Sequence, residues 1–350
     1  MTTARKDIII DGVDAIYHCT SRCVRRAYLC GKDFLTNVSY EHRKDWVRDR
    51  LIFLSSIFSI DILNYSIMDN HLHVLIKTNF SKLKTLSDRE LAYRWRKLYP
   101  KTFKGKDKPA TPSEEEVTLL VNDTVMMPKI RERLGSVSWL MKSLSEDIAR
   151  KANKEDECTG RFWEGRFGCK RVLDIGAVLK CAVYVDLNPI RAGKAKTPED
   201  SEFTSVHDRI ESSLATEKLK TIGIKSRLTK REFKVLEEKA NKSSWLAPIF
   251  STPDKKGLLP VDFDDYLQIL EWTGKQLVEG KRGFIPLDLV PVLERLKLNL
   301  ENWTESVTTF GKDFHLVIGS ESSIRAISAE KNKKKCFHGI AAARKTFFNG

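Results

Sequence analysis

A chain of 350 residues is longer than most single domains, so two folded units are expected, each long enough to bury a core. With 41 % hydrophobic and 31 % charged residues it is too apolar for wholesale disorder, and its longest apolar stretches, such as 51–60, fall short of the roughly 20 residues that a membrane helix needs. The excess of 61 Lys and Arg over 47 Asp and Glu, a net charge of +14, favours a polyanion such as nucleic acid without choosing between DNA and RNA.

The opening residues lead into three isoleucines with neither an apolar signal core nor a small-residue cleavage site, so no membrane association and a cytoplasmic location are expected. The seven cysteines (Cys19, Cys23, Cys30, Cys158, Cys169, Cys181, Cys336) contain no CxxC pair and read as reduced, mostly packed thiols.

In chain order, Asp14–Arg22 carries β-branched and aromatic residues and reads as a first strand. A helix over 40–58 follows, its apolar face formed by Trp46, Val47, Leu51, Ile52, Leu54 and Ile57 and its wet face by Glu41, Arg43, Lys44, Arg48 and Arg50. Ile60–Met68 and His71–Lys77 read as two strands of a hairpin turned by Asp69-Asn70. Residues 81–135 look like an inserted subdomain, with a basic Pro-containing stretch at 101–109. A helix at Val137–Ala152, a strand at Arg161–Val172 and a helix at Ile175–Leu187, capped by Asp174 and stopped before Pro189, complete the pattern. This βαββ, insertion, αβα order fits an α+β fold with a ferredoxin-like antiparallel sheet and helices on one face. Residues 1–200 are expected to form this domain, 201–245 a linker region, and 246–350 a mainly helical C-terminal domain, with helical spacing at 262–278, 287–300 and 324–347.

The chemistry sits on two of these elements. In a strand, His71 and His73 project from one face, a pair suited to hold a metal ion. On the last helix of the first domain, Tyr184 and Asn188 are four apart, so a phenol and an amide share a face. An amide oxygen serves as a third ligand for a hard ion, with Mg²⁺ or Mn²⁺ meeting the mixed donor set, while the phenol is a nucleophile for phosphodiester transesterification. Taken without the histidines, Tyr184 reads as a core aromatic rather than a nucleophile, and Asn188 could equally be a helix C-cap. His18, on the first strand, reads as a packed histidine or a contact from the same sheet face.

Four segments in order strengthen the catalytic reading: YHCTSR from Tyr17, SIMDNHLH from Ser66, GRFWEGRF from Gly160 and YVDLNPIRAG from Tyr184. Together, over about residues 10–195, they resemble the single-tyrosine HUH transposases, in the branch associated with repetitive extragenic palindromes. The resemblance implies a ferredoxin-like nuclease core and an ion held by His71, His73 and a polar residue of the tyrosine helix. It also implies cleavage of hairpin-forming single-stranded DNA to a 5′-phosphotyrosine on Tyr184 and a free 3′-hydroxyl, in a bacterial-type cell at the nucleoid. Asn188 stands where related insertion-sequence enzymes hold glutamine and is one methylene shorter. The insertion at 81–135 and everything after about 200 depart from the pattern.

Candidate DNA contacts are Arg22, Arg25 and Arg26 after the first strand, and Arg161, Trp163 and Arg166, which alternate cationic and aromatic groups. Packing of this last segment on the sheet is the equal alternative. Whether one chain or a homodimer assembles the site stays open, as do two other functions on the same fold. One is a catalytically silent nucleic-acid binder. The other is a replication-initiator or relaxase nickase, against which stands the lack of a second tyrosine beside Tyr184.

Overall fold

The computed structural model describes residues 8–24, 30–33, 37–101, 111–225, 229–251, 257–277, 303–330 and 339–347. Strands form where β-branched and aromatic residues cluster. These are β1 (Ile16–Arg22), β2 (Ile60–Ile67), β3 (His71–Thr78), β4 (Gly168–Val172) and the two-residue β5 (Val317–Ile318). The Asp69-Asn70 turn closes the β2–β3 hairpin, with Met68 N–H donating to His71 O at 2.8 Å.

In the sheet the strands lie in the order β2-β3-β1-β4-β5. The first four are mutually antiparallel, and β5 runs parallel to β4. The fold is thus α+β, as expected, but its sheet is mixed rather than wholly antiparallel. Two apolar residues of the C-terminal region, Val317 and Ile318, pair with Arg171 and Val172 and bury the outer edge of β4.

Helices in the first half are α1 (His42–Ile57), α2 (Phe80–Thr85), α3 (Asp88–Leu98), α4 (Glu114–Val121), α5 (Met126–Leu134) and α6 (Val137–Glu155). Then come α7 (Ile175–Asp186), α8 (Asn188–Arg191), α9 (Ser205–Lys225), α10 (Lys230–Ala240) and α11 (Phe263–Leu277). The last are α12 (Trp303–Asp313), α13 (Glu321–Glu330) and α14 (Ile340–Thr346). None of the described helices is long and apolar enough to cross a membrane.

These helices cover both faces of the sheet, not one. β3 is buried on both sides: Leu72, Val74 and Ile76 join the core under α1 and α6, whereas Leu75 joins the core under α7 beside buried His73. A strand buried on both faces needs a layer on each. One expected wet-face residue of α1 is also buried. Arg43 is fully enclosed, donating to Glu155 Oε2 at 2.6 Å and to Asp156, and so clamps α1 to the end of α6.

The insertion at 81–135 is α2 to α5, and its Leu91, Trp95, Ile130 and Leu134 extend the α1 core; residues 102–110 lie outside the described residues. The expected linker at 201–245 holds α9 and α10. The C-terminal helices do not stand apart: Ile269, Leu270, Trp303, Phe310 and Phe314 share one core with α7. The helix expected at 287–300 lies outside the described residues. The strand expected over 161–172 begins only at Gly168, because Gly160, at φ +128°, and Gly165 interrupt the preceding segment.

One buried carboxylate locks α7 in place. Asp186, with no exposed surface, accepts from Asn64 Nδ2 (2.8 Å), Tyr266 Oη (2.6 Å) and Ser205 Oγ (2.5 Å), tying α7 to β2, α11 and α9. Its removal from water raises its pKa, which these donors partly counter.

Candidate active site

Register decides which side chains meet. Thr20 of β1 pairs with His73, Arg22 with His71, and Lys170 of β4 with His18. Side chains alternate along a strand, so His18, Arg22, His71, His73 and Lys170 all project toward α7. His71 and His73 lie with ring centroids 5.0 Å apart at 81°, on one face as the spacing requires.

From the other layer, Tyr184 brings its phenol to the same place. Its ring centroid is 5.5 Å from that of His73 and 6.0 Å from that of His18, both edge-on. The Arg191 guanidinium sits 4.6 Å over the Tyr184 ring. On the far side Phe310 of α12 packs at 4.7 Å, and a Cβ placed on Gly311 would come within 3.0 Å of Tyr184 Oη. The phenol is therefore enclosed, 8 % exposed.

Asn188 does not continue the tyrosine helix. Leu187, at φ −85° and ψ 0°, ends α7, and Asn188 opens the short α8. Its Nδ2 donates back to Tyr184 O at 3.0 Å and to Val185 O at 3.4 Å. It thus serves as a cap for α7 without the left-handed backbone that caps often use, and Oδ1 is the atom left to act as a ligand.

The two histidines meet the donor requirement of a divalent ion in one respect. His71 Nδ1 donates to Asn70 Oδ1 at 2.6 Å, and His73 Nδ1 bonds His18 Nε2 at 2.9 Å, so the ring nitrogen opposite each bond is Nε2. Burial, then Arg22, holds His71 down to about 4; burial, then its two histidine neighbours, holds His73 well below the usual value. Both rings are neutral at physiological pH and have a lone pair to give. Among the described residues, no three His, Cys, Asp or Glu side chains are grouped to hold a metal.

Around these groups the charge is positive. Arg22 and Arg191 both act on the two histidines, Lys170 Nζ donates to Gly311 O at 2.9 Å, and Lys180 lies with its Nζ 5.5 Å from the Phe310 ring. Burial pushes Lys180 down to about 7. Lys180 was legible as a neighbour of Tyr184, four residues earlier on the same helix; Phe310 and Gly311 carried no local signal.

The expected nucleic-acid contacts divide. Arg22 is exposed at the end of β1, beside His71, while Arg25 and Arg26 lie outside the described residues. Arg161 and Arg166 are exposed. Trp163 instead packs: its Nε1–H donates to Ser145 O at 2.9 Å, its ring meets Phe162 at 4.9 Å, and its backbone bridges to Cys23. The segment 161–167 nonetheless flanks the histidines, because Glu164 N–H donates to Arg22 O at 2.8 Å.

Compared with known proteins, the chain matches no protein-family model and no curated protein. Among solved structures it is similar to that of a REP-associated tyrosine transposase bound to a REP hairpin, at 13 % identity and a TM-score of 0.35, over 59 % of this chain and 84 % of that one.

Proposed function

We propose that this chain is a metal-dependent transposase of the single-tyrosine HUH type, cutting and rejoining hairpin-forming single-stranded DNA with Tyr184 as nucleophile. The observation that carries the reading is the meeting of His71, His73 and Tyr184, drawn from separate motifs, in one enclosed and positively charged site. The strand order β2-β3-β1-β4, with α1 joining β1 to β2, supports a ferredoxin-like core.

The reaction is written from this chain's own groups. Tyr184 Oη attacks phosphorus, a P–O bond to tyrosine forms, and the bond from phosphorus to the 3′ oxygen breaks. The phenolic proton passes to solvent or a neighbouring base, and the departing 3′ oxygen takes up a proton. A 3′-hydroxyl attacking the phosphotyrosine reverses these changes and joins two ends. Arg191 and Arg22 offset the phosphate charge, and Arg161 and Arg166, with Arg25 and Arg26, are assigned to the flanking backbone.

His71 and His73 would hold Mg²⁺ or Mn²⁺ through Nε2, with Asn188 Oδ1 as a third ligand. When bound, the ion draws electron density from a phosphate oxygen and lowers the barrier to attack. The contact of His73 with Tyr184 supports assembly of this site in cis, within one chain.

The test is a denaturing gel of the protein incubated with a labelled single-stranded hairpin from palindromes flanking its own gene, with Mn²⁺, with EDTA, and with Tyr184→Phe. An adduct that needs both the ion and Tyr184 supports the reading. The packing of Phe310 and Gly311 against Tyr184 favours a second one, a nucleic-acid binder without catalysis, which binding without any adduct would support.

A further inference from the structure

We propose that His18 is the positioning residue that sets which nitrogen of His73 faces an ion; this rests on the ion-binding reading above. His18 and His73 are diagonal neighbours on adjacent strands, since His18 pairs with Leu75 and His73 with Thr20. Their rings are within 8° of parallel, with centroids 5.1 Å apart and Nε2 of His18 2.9 Å from Nδ1 of His73. The centroid separation exceeds the N–N distance by about two ring radii, so the rings lie edge to edge in nearly one plane rather than stacked. That is the alignment an N–H···N hydrogen bond wants, with the lone pair of one ring in line with the N–H of the other.

One proton occupies that bond, and its owner decides what His73 offers. With the proton on His18 Nε2, neutral His73 carries its own proton on Nε2 and has no lone pair there. With the proton on His73 Nδ1, donated to His18 Nε2, the His73 Nε2 lone pair is bare. His71 is held in that second form by Asn70 Oδ1, which accepts from Nδ1. An ion held by both histidines requires the same form of His73, and His18 is the group placed to accept its Nδ1–H. Moving between the two forms takes one proton off His73 Nε2 and puts one on His18 Nδ1, so the pair's charge is unchanged.

His18 Nδ1 is buried and has no hydrogen-bond partner among the described residues, while His18 as a whole is 3 % exposed. A histidine kept only for packing would be replaceable by an apolar side chain that leaves no such orphan. The contact His18 does make, through Nε2, is with His73 Nδ1, and fixing a ligand histidine from its far nitrogen is a recurrent need of metal sites.

The experiment is Mn²⁺ binding by the full chain, read by electron paramagnetic resonance and calorimetry, for wild type, His73→Ala, His18→Leu and His18→Gln, each checked for folding by circular dichroism. Glutamine keeps a carbonyl that accepts from His73 Nδ1, and leucine does not. His18→Leu should weaken Mn²⁺ binding roughly 10- to 100-fold, and His18→Gln should restore it to within about threefold of wild type. Equal binding by His18→Leu and wild type overturns the inference while the ion site stands. Wild type that takes up no Mn²⁺ overturns both the ion site and the inference. Should His18→Leu not fold, ¹⁵N imidazole shifts of the ion-free wild type decide. His73 protonated at Nδ1 supports the proposal, and His73 protonated at Nε2 contradicts it.

Discussion

The imidazole of His73 and the phenol of Tyr184 meet edge-on at 5.5 Å, one from a hairpin strand and the other from a helix in the opposite layer. The relation exists because β3 turns alternate residues toward α7, and because Asp186, two residues beyond Tyr184, anchors that helix to β2, α9 and α11.

The two candidate ligand histidines should separate when each is removed. Both His71→Ala and His73→Ala should lose Mn²⁺ binding by calorimetry. Only His73→Ala should lower stability in urea by about 1–3 kcal/mol, since it leaves His18 Nε2 buried without its partner, whereas His71 is only partly buried. Equal stability losses would contradict this placement.

Much of this was legible beforehand, and the exceptions have physical reasons. Strand periodicity placed His71 and His73 on one face, and Asp174 was readable as a cap: its Oδ1 accepts from Ala177 N–H at 2.9 Å. The two-sided covering was not readable, because β3 sets histidines, not apolar residues, at part of its second face. Arg43 looked like a wet-face residue, since its partners, Glu155 and Asp156, lie at the end of another helix. Phe310 and Gly311 were invisible as neighbours of Tyr184, being brought there only by a shared core with α7.

Acid should weaken the ion-free chain through its histidines. Burial, then Lys170, holds His18 down to about 3, and burial, then Arg22, holds His71 down to about 4, against about 6.5 when unfolded. The unfolded chain binds more protons across that window, so stability rises with pH through it and is lost as pH falls below about 6.5. With EDTA present, the urea midpoint at pH 5 should lie below that at pH 7, and His18→Gln should shrink the gap. A gap as large in His18→Gln as in wild type would contradict the assignment.

Asp186→Ala should cost about 3–5 kcal/mol in urea denaturation. It removes the acceptor of Asn64, Ser205 and Tyr266, and the opposing charge near buried Arg209. A loss under about 1 kcal/mol would mean that the network is not holding α7.

Gly311→Val should destabilise the chain by about 1–3 kcal/mol through overpacking, because its first side-chain carbon meets Tyr184 Oη at 3.0 Å. Gly311→Ala should cost less. Unchanged thermal melting of the valine variant would show that α12 does not pack on Tyr184 as described.

The most direct measurement is tandem mass spectrometry of a protease digest of the protein after incubation with Mn²⁺ and its hairpin DNA. The expected result is a peptide carrying a 5′-phosphate nucleotide on Tyr184, with no adduct peptide in Tyr184→Phe or with EDTA. An adduct on another residue, or cleaved DNA with no adduct at all, would contradict the account.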